Sequence, residues 1–570
     1  MCARLLAVLF GLGCNAASIP PVADRDPNPS TSPKIKVNEL VLNGIQPFEH
    51  LGITQETVAA FLRNALRKAQ EAATPSHNGF TAQELQEVAR TLDSMDVHER
   101  KDALSPAESL DLVELVRAQK TRRGISIVEL ERIAERLGEF YRDRGLFLSV
   151  GYLPSQKVVD ERVEIGLLPG TLAQVNVADP LIHEAFEDSL GRPVERDAIE
   201  SILFMINRLP GVQAQGVFTA GDEVGETKLD LSLLDAHIFR GDLRLDNHGD
   251  RYGSSQRLIA RYARASLLRH GDDLSFGLLA GLNPADSHYG WLRYEIPVAT
   301  VRNRWFVEVG NNEFSWNPPG AQFEGDSFFG TAGMRRIFTA SRTRALAGKI
   351  AVSHHQLGLS GAADQRFWFA TGALTSSWVL DRRKIAIDAN LQVNAGRVQS
   401  GLVAAQDPFL WRSRASVHGW KLVSVPFLDA PQKVSISITG QLADTRLPDS
   451  LRMTLGGAYR VRAFDPSVAI VDRGAVMNLD LRLAPRPIAR YGDILLFVDA
   501  AIGESYGAIG DSEGERESKN VRLAAVGIGF DWHIGRRVRS VISWAVPTSS
   551  KGSGGRDYGS RFYWTISYAP

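Results

Sequence analysis

Ile385-Ala386-Ile387-Asp388-Ala389-Asn390-Leu391-Gln392-Val393-Asn394 is the stretch that decides the fold. Apolar residues hold the odd positions, while Asp388, Asn390, Gln392 and Asn394 hold the even ones. That two-residue period belongs to a strand with one greasy and one wet face. The rule returns in Val434-Ser-Ile-Ser-Ile-Thr439 and in Met477-Asn-Leu-Asp-Leu-Arg-Leu483. It returns again in Phe562-Tyr-Trp-Thr-Ile-Ser-Tyr568, which carries aromatics at both ends. From Phe239 onwards the chain is a succession of such segments, each roughly 10–14 residues long and bounded by Gly, Asp, Asn and Pro clusters. Strands of a soluble sandwich average ~5–6 residues. A membrane-crossing strand needs ~9–11, with apolar side chains to lipid and polar ones to a wet interior. Every amide in hydrocarbon must be paired, so such a sheet has to close on itself. The segments from Phe239 to Tyr568 number about sixteen, and an even number leaves both chain ends on the periplasmic side. The expectation is a transmembrane β-barrel of about 16 antiparallel strands over residues 237–570.

Composition narrows the function. In 570 residues, Lys and Arg total 65 and so do Asp and Glu, so no basic excess is available to neutralise phosphates and no nucleic-acid partner is expected. The balanced charge also argues against an acidic disordered chain. The two cysteines are Cys2 and Cys14, which excludes a disulfide scaffold, a Cys metal site or a Cys nucleophile downstream. Met1 to Arg4 is a short positive start, Leu5 to Gly13 is apolar, and Asn15-Ala16-Ala17-Ser18 is small. Residues 1–17 therefore read as a signal peptide, too short to span a bilayer. Gly11-Leu12-Gly13-Cys14 also fits a lipoprotein cleavage box, with Cys14 as the lipidated residue.

Residues 18–34 carry five prolines (Pro20, Pro21, Pro27, Pro29, Pro33) and read as an extended linker. Asp24, Asp26 and Asn28 imitate a calcium loop, but Pro29 stands where glycine is needed and Ile35 where a bidentate Glu is needed. A strand is expected from Ile35 to Gly44, then helices from Thr54 to Gln119, with capping boxes Thr81-x-x-Glu84 and Ser105-Pro106-x-Glu108. Ser126-x-x-Glu129 opens a helix whose stripe is Leu130, Ile133, Leu137 and Phe140. Strands are expected at Phe147–Tyr152 and Arg162–Leu168. A second unit, 171–236, pairs strand Leu172–Val177 with a helix bearing Ile199, Ile202, Leu203 and Ile206, and with two strands ending at Lys228–Leu234. The fold class is thus a barrel preceded by two small α+β modules, 35–170 with a helical insertion at about 72–123, and 171–236.

Three features give the chain a family likeness: Leu455-Gly-Gly-Ala-Tyr-Arg-Val-Arg-Ala-Phe464, Phe497-Val-Asp-Ala-Ala501, and the module motifs Val150-Gly-Tyr-Leu-Pro-Ser-Gln156 and Asn207-Arg-Leu-Pro-Gly-Val212. With them the chain resembles the haemolysin secretion/activation proteins, the outer-membrane transporters of two-partner secretion, relatives of the barrel-assembly proteins. The resemblance implies two periplasmic POTRA domains and a 16-stranded barrel with its sixth outer loop, about 446–473, folded into the pore. It implies that Val461, Arg462, Ala463 and Phe464 form the loop tip. Phe497, Asp499 and Ala501 form the matching wall motif, with Arg462 paired to Asp499. The implied partners are a large, unfolded, β-rich secreted protein, outer-membrane lipid, and the barrel-assembly machinery for insertion. Ala463 and Ala501 stand where the family has glycine, the chain ends Tyr568-Ala569-Pro570, and no plug helix is evident before the first module.

The residues themselves point the same way. The loop follows the eleventh strand in the count, and an odd-numbered strand runs outwards, so the loop is rooted outside. Phe497, Asp499 and Ala501 share one strand face, and an aspartate on a spanning strand must face the lumen, where a guanidinium engaging both oxygens is its natural partner. Gly510-Asp511-Ser512-Glu513-Gly514 spells a nucleophile elbow, but it sits in an acidic loop without the strand-turn-helix context. His354-His355 lack metal spacing, and no Gly-x-x-x-x-Gly-Lys-Ser/Thr is present, so no cofactor, metal or catalytic residue is expected. The function expected is export of an unfolded partner protein. The alternatives are a barrel- or autotransporter-assembly factor and a passive porin-like channel with docking domains.

Overall fold

The computed structural model describes residues 32–42, 47–95, 103–121, 123–283, 287–317, 320, 322–361, 364–400, 409–424, 431–485, 488–506, 519–551 and 559–570. The signal peptide, Cys14, most of the linker and Gly510–Gly514 lie outside them. Two compact units divide the chain: one holds 1–178, 186–200 and 216–232, the other 179–185, 201–215 and 233–570.

In the first module β1 (Lys34–Ile35) and β2 (Glu39–Leu42) precede α1 (Gln55–Ala73), α2 (Ala82–Ser94), α3 (Pro106–Thr121), β3 (Ile125–Ser126), α4 (Ile127–Asp143), β4 (Val150–Tyr152) and β5 (Arg162–Leu168). The expected strand Ile35–Gly44 is two strands, because the chain changes partner: β1 pairs antiparallel with β3, whereas β2 runs parallel to β5. Asn43 and Gly44 lie outside the described residues. The strand expected from Phe147 starts only at Val150, since the Ser149 amide donates back to Leu146 in a turn. Thr81, Ser105 and Ser126 all cap as their sequences require: each accepts from the backbone N–H of Glu84, Glu108 or Glu129, whose carboxylate returns the bond. The stripe of α4 buries Leu130, Ile133, Leu137 and Tyr141 against Leu62 and Leu66 of α1 and Val163 and Ile165 of β5.

β6 (Thr171–Asn176), α5 (Pro180–Glu184), α6 (Arg196–Ile206), β7 (Val212–Ala220) and β8 (Glu226–Asp235) make the second module, with sheet order β6-β8-β7. Helix α5 was not anticipated, although Asp179-Pro180 is an N-cap followed by proline at the first helical position, and the Asp179 carboxylate does accept from the Leu181 amide.

The barrel begins with β9 (Phe239–Asp246), β10 (Gln256–Ala265), β11 (Asp273–Asn283), β12 (His288–Val298), β13 (Thr300–Trp316), β14 (Phe323–Ala340), β15 (Arg344–Leu359) and β16 (Gln365–Leu380). It continues with β17 (Ile385–Ser400), β18 (Phe409–Val423) and β19 (Gln432–Leu442). A loop hairpin of β20 (Met453–Thr454) and β21 (Ile470–Val471) intervenes. The rest are β22 (Arg473–Leu483), β23 (Gly492–Ser505), β24 (Lys519–Ile534), β25 (Val538–Lys551) and β26 (Arg561–Tyr568). β20 and β21 apart, these are the strands of one closed antiparallel sheet, sixteen as expected. Several outgrow the anticipated length, β14 reaching 18 residues, because ladder pairing continues beyond what a bilayer needs. For the same reason β25 runs to Lys551. Closure is made by β26 against β9, over the register Thr565↔Asp246 to Tyr568↔Leu243.

The two faces are plain on β23. Leu496, Val498 and Ile502 are exposed outwards, while Leu495, Phe497, Asp499 and Ala501 are buried on the other side. On β15, Ile350 and Val352 are likewise exposed, and Ala351 and Ser353 are buried. No helix among the described residues is long and apolar enough to cross a membrane, so strands alone carry the span.

Candidate functional site: a folded-back loop clasped to the barrel wall

The chain between β19 and β22 folds inwards as a structured arm. Its stem is the β20–β21 hairpin, reinforced where the Leu455 amide donates to the Ala469 carbonyl. Asp472 ties the base together, accepting from the Leu447 and Tyr506 amides at 2.8 Å each and pairing with Arg452 at 3.3 Å. Gly457, with φ +117°, lets the chain reverse, and the Gly457 amide donates to the Phe464 carbonyl across the tip. Alanine at 463 fits: φ is not positive there, so the missing glycine creates no strain.

The loop and wall residues named from sequence meet at this tip. Arg462 gives Asp499 three hydrogen bonds: its backbone N–H to Oδ2 (3.0 Å), Nε to Oδ2 (2.8 Å) and Nη2 to Oδ1 (2.6 Å). The guanidinium carbon lies 3.5 Å from the centre of the Phe497 ring. Val461, Ala463 and Phe464 bury themselves with Leu455, Val476, Leu495, Phe497, Ala501, Leu523 and Ala525 in one dry cluster between arm and wall. Ala501, standing for glycine, is part of that cluster.

Three participants were not singled out from sequence. Asp480 takes a further bond from Arg462 Nη2 at 2.6 Å, and Asn478 donates Nδ2 to Asp499 Oδ1 (2.8 Å) and to the Arg460 carbonyl (2.7 Å). Both sit on β22 directly across the ladder from β23, Asn478 beside Asp499 and Asp480 beside Phe497. Tyr563 of β26 donates its hydroxyl to the Phe464 carbonyl at 3.3 Å. The signal was available: they are the polar or lumen-side positions of strands already recognised by their alternation. Gly527 on β24 completes the seat, since a Cβ there would overlap the Phe497 ring and the Trp544 carbonyl.

A buried carboxylate answered by a guanidinium, two more polar side chains and a dry collar can hold an arm inside a pore, and can release it only as a unit. Among the described residues no group of three or more His, Cys, Asp or Glu is placed to hold a metal. Residues 383–532, which hold the site apart from Tyr563, match the family described as haemolysin secretion/activation protein ShlB/FhaC/HecB. The chain is similar to the outer-membrane transporters of the two-partner secretion type. It is 25% identical over 502 residues to the heme/hemopexin transporter protein HuxB of Haemophilus influenzae (strain 86-028NP), covering 82% of this chain and 86% of that one. In fold it is similar to CdiB from Escherichia coli (TM-score 0.61, 16% identity, 92% of this chain and 99% of that chain). It is also similar to CdiB from Acinetobacter baumannii (TM-score 0.58, 13% identity, 97% and 93%). The transporter moves a partner protein across the outer membrane through its barrel, with its N-terminal modules in the periplasm.

Proposed function

We propose that the passenger arrives unfolded in the periplasm, adds a strand to an edge of a module sheet, and enters the lumen once the arm has left Asp499. Support for the first step is the pair of small sheets, whose edge strands are β2 and β4 in one and β7 in the other, the start of β6 being already bonded to residues 191–194. Strand addition uses main-chain hydrogen bonds and so accepts passengers of many sequences. The observation that carries the second step is the three-bond grip of Arg462 on the buried Asp499. With no nucleotide motif in the sequence, the driving force is passenger folding outside and not hydrolysis, and the chain is not an enzyme. Membrane lipid contacts the apolar outer face, and the barrel-assembly machinery inserts the barrel. The passenger is a large, β-rich secreted protein of the haemolysin or adhesin kind; the relatives' name makes a heme- or hemopexin-related partner the first to test. The experiment is a charge swap read by secretion of the co-expressed partner. Arg462→Asp and Asp499→Arg should each block export, and the double variant should restore part of it. Double-variant export no better than either single would overturn the clasp. Export unaffected by all three would leave the pore-gating role without support.

A further inference from the structure

Arginines inside this barrel are paired as a rule. Arg244 and Arg257 meet Asp246, Arg293, Arg304 and Arg335 converge on Glu295, and Arg482 and Arg539 share Asp531. Arg452 and Arg561 hold Asp472 and Asp465. Arg412, Arg414 and Arg460 break the rule: among the described residues, none of the three forms an ion pair. Arg412 and Arg414 alternate along β18, so both enter the lumen. Their ladder neighbours are neutral amides, Asn394 beside Arg412, and Gln392 and Gln441 on either side of Arg414. Arg412 is buried; Nη1 donates to the Leu451 carbonyl at 2.9 Å, but its buried Nε reaches no acceptor. Arg414 has Nε on the Gln441 amide oxygen at 2.7 Å. Arg460, two residues before the clasp arginine, lies within Coulombic reach of Arg414. A guanidinium does not give up its proton in a protein, so the buried Arg412, with the half-buried Arg414 and Arg460 adding to the same positive field, makes a place that favours negative charge.

We propose that Arg412, Arg414 and Arg460 form an oxyanion site in the lumen, between β18 and the tip of the folded-back arm. The ligand is a phosphate or carboxylate group, which the planar forks match in geometry as well as charge. Because Arg460 belongs to the arm and the other two to the wall, a bound oxyanion bridges them and fastens the arm at a second point, independently of Asp499. Free phosphate and an acidic side chain of the passenger both offer this chemistry. Either one changes the hold on the arm: phosphate tightens it at rest, and a passenger carboxylate takes its place on entry.

The test uses the full-length protein in detergent, melted in rising inorganic phosphate at constant ionic strength and, separately, in rising concentrations of a glutamate-rich decapeptide. Phosphate should raise the melting temperature of the natural protein saturably, and the triple variant Arg412→Gln/Arg414→Gln/Arg460→Gln should lose the rise. Should the triple variant fail to fold, Arg460→Gln alone, at a partly exposed loop position, should weaken the apparent phosphate affinity about tenfold. A response to the peptide without one to phosphate supports the site and assigns it to passenger carboxylates. No response to either ligand, or an equal response in the variants, overturns the proposal.

Discussion

Asp499→Asn should loosen the arm without unfolding the barrel, and the expected size follows from the contacts. The substitution keeps volume but removes the charge that three Arg462 bonds, at 3.0, 2.8 and 2.6 Å, now share. Breaking one side of a buried ion pair costs about 3–5 kcal/mol, which raises the undocked population roughly 10²–10⁴-fold. Asp480→Asn is the internal control. It neutralises a carboxylate that accepts one bond from Arg462 and is 26% exposed, and about 1 kcal/mol gives less than a tenfold change. The assay is maleimide labelling of Ala463→Cys, buried in the docked arm, in a chain whose native cysteines are only Cys2 and Cys14. Where closing outpaces labelling, the rate follows the open population. Labelling in the Asp499→Asn background should exceed that in Asp480→Asn by at least about tenfold. Equal rates in the two backgrounds would refute the assignment of the grip to Asp499.

Gly527→Ala should push the Phe497 ring off the Arg462 guanidinium; accelerated labelling at the same cysteine reports it, and an unchanged rate rejects the stacking argument. Ile350→Lys, on the exposed outward face, should destabilise the barrel by about 2–4 kcal/mol, whereas Ala351→Ser on the lumen side should cost far less, measured by urea unfolding in detergent micelles. In the first module burial disfavours the charged Glu84, but bonds from Arg123 and the Thr81 amide outweigh it and hold the carboxyl below its ordinary 4.5. A depressed folded-state pKa gives stability that is complete above about 4.5 and is lost as pH falls through the lower folded value. Hydrogen exchange in Ala82–Ser94 should therefore rise at acid pH, and Glu84→Gln should abolish that dependence; a variant that keeps it assigns the acid sensitivity elsewhere.

The barrel was legible because its two faces meet different solvents. Ile385, Ile387, Leu391 and Val393 against Asp388, Asn390, Gln392 and Asn394 leave no other geometry, and β17 contains them all. The capped helices were legible for a local reason, since a Ser or Thr and its Glu three residues on answer each other without help from the rest of the fold. Short pieces were not: β1 and β2 are set by which distant strands they meet, Ile125–Ser126 and Arg162–Ile165, and no local period records that choice. At the site, Arg462 and Asp499 could be named by resemblance and by the need of a lumen carboxylate for a cation. Asn478 and Asp480 required the register of β22 on β23, which alternation alone leaves free by two residues at a time.

The dry collar around the tip has a consequence for an idle transporter. Leu455, Val461 and Phe464 are fully shielded from water, and wetting them on departure costs about 5–9 kcal/mol beyond the ionic grip. On the gating proposed above, an empty conduit is kept shut by grease as well as by charge, and momentary unlatching exposes a sticky strip that snaps back. A travelling polypeptide brings apolar side chains of its own to cover that strip. Under that gating the door stays ajar only while something is passing through it, and it reseals behind the last residue.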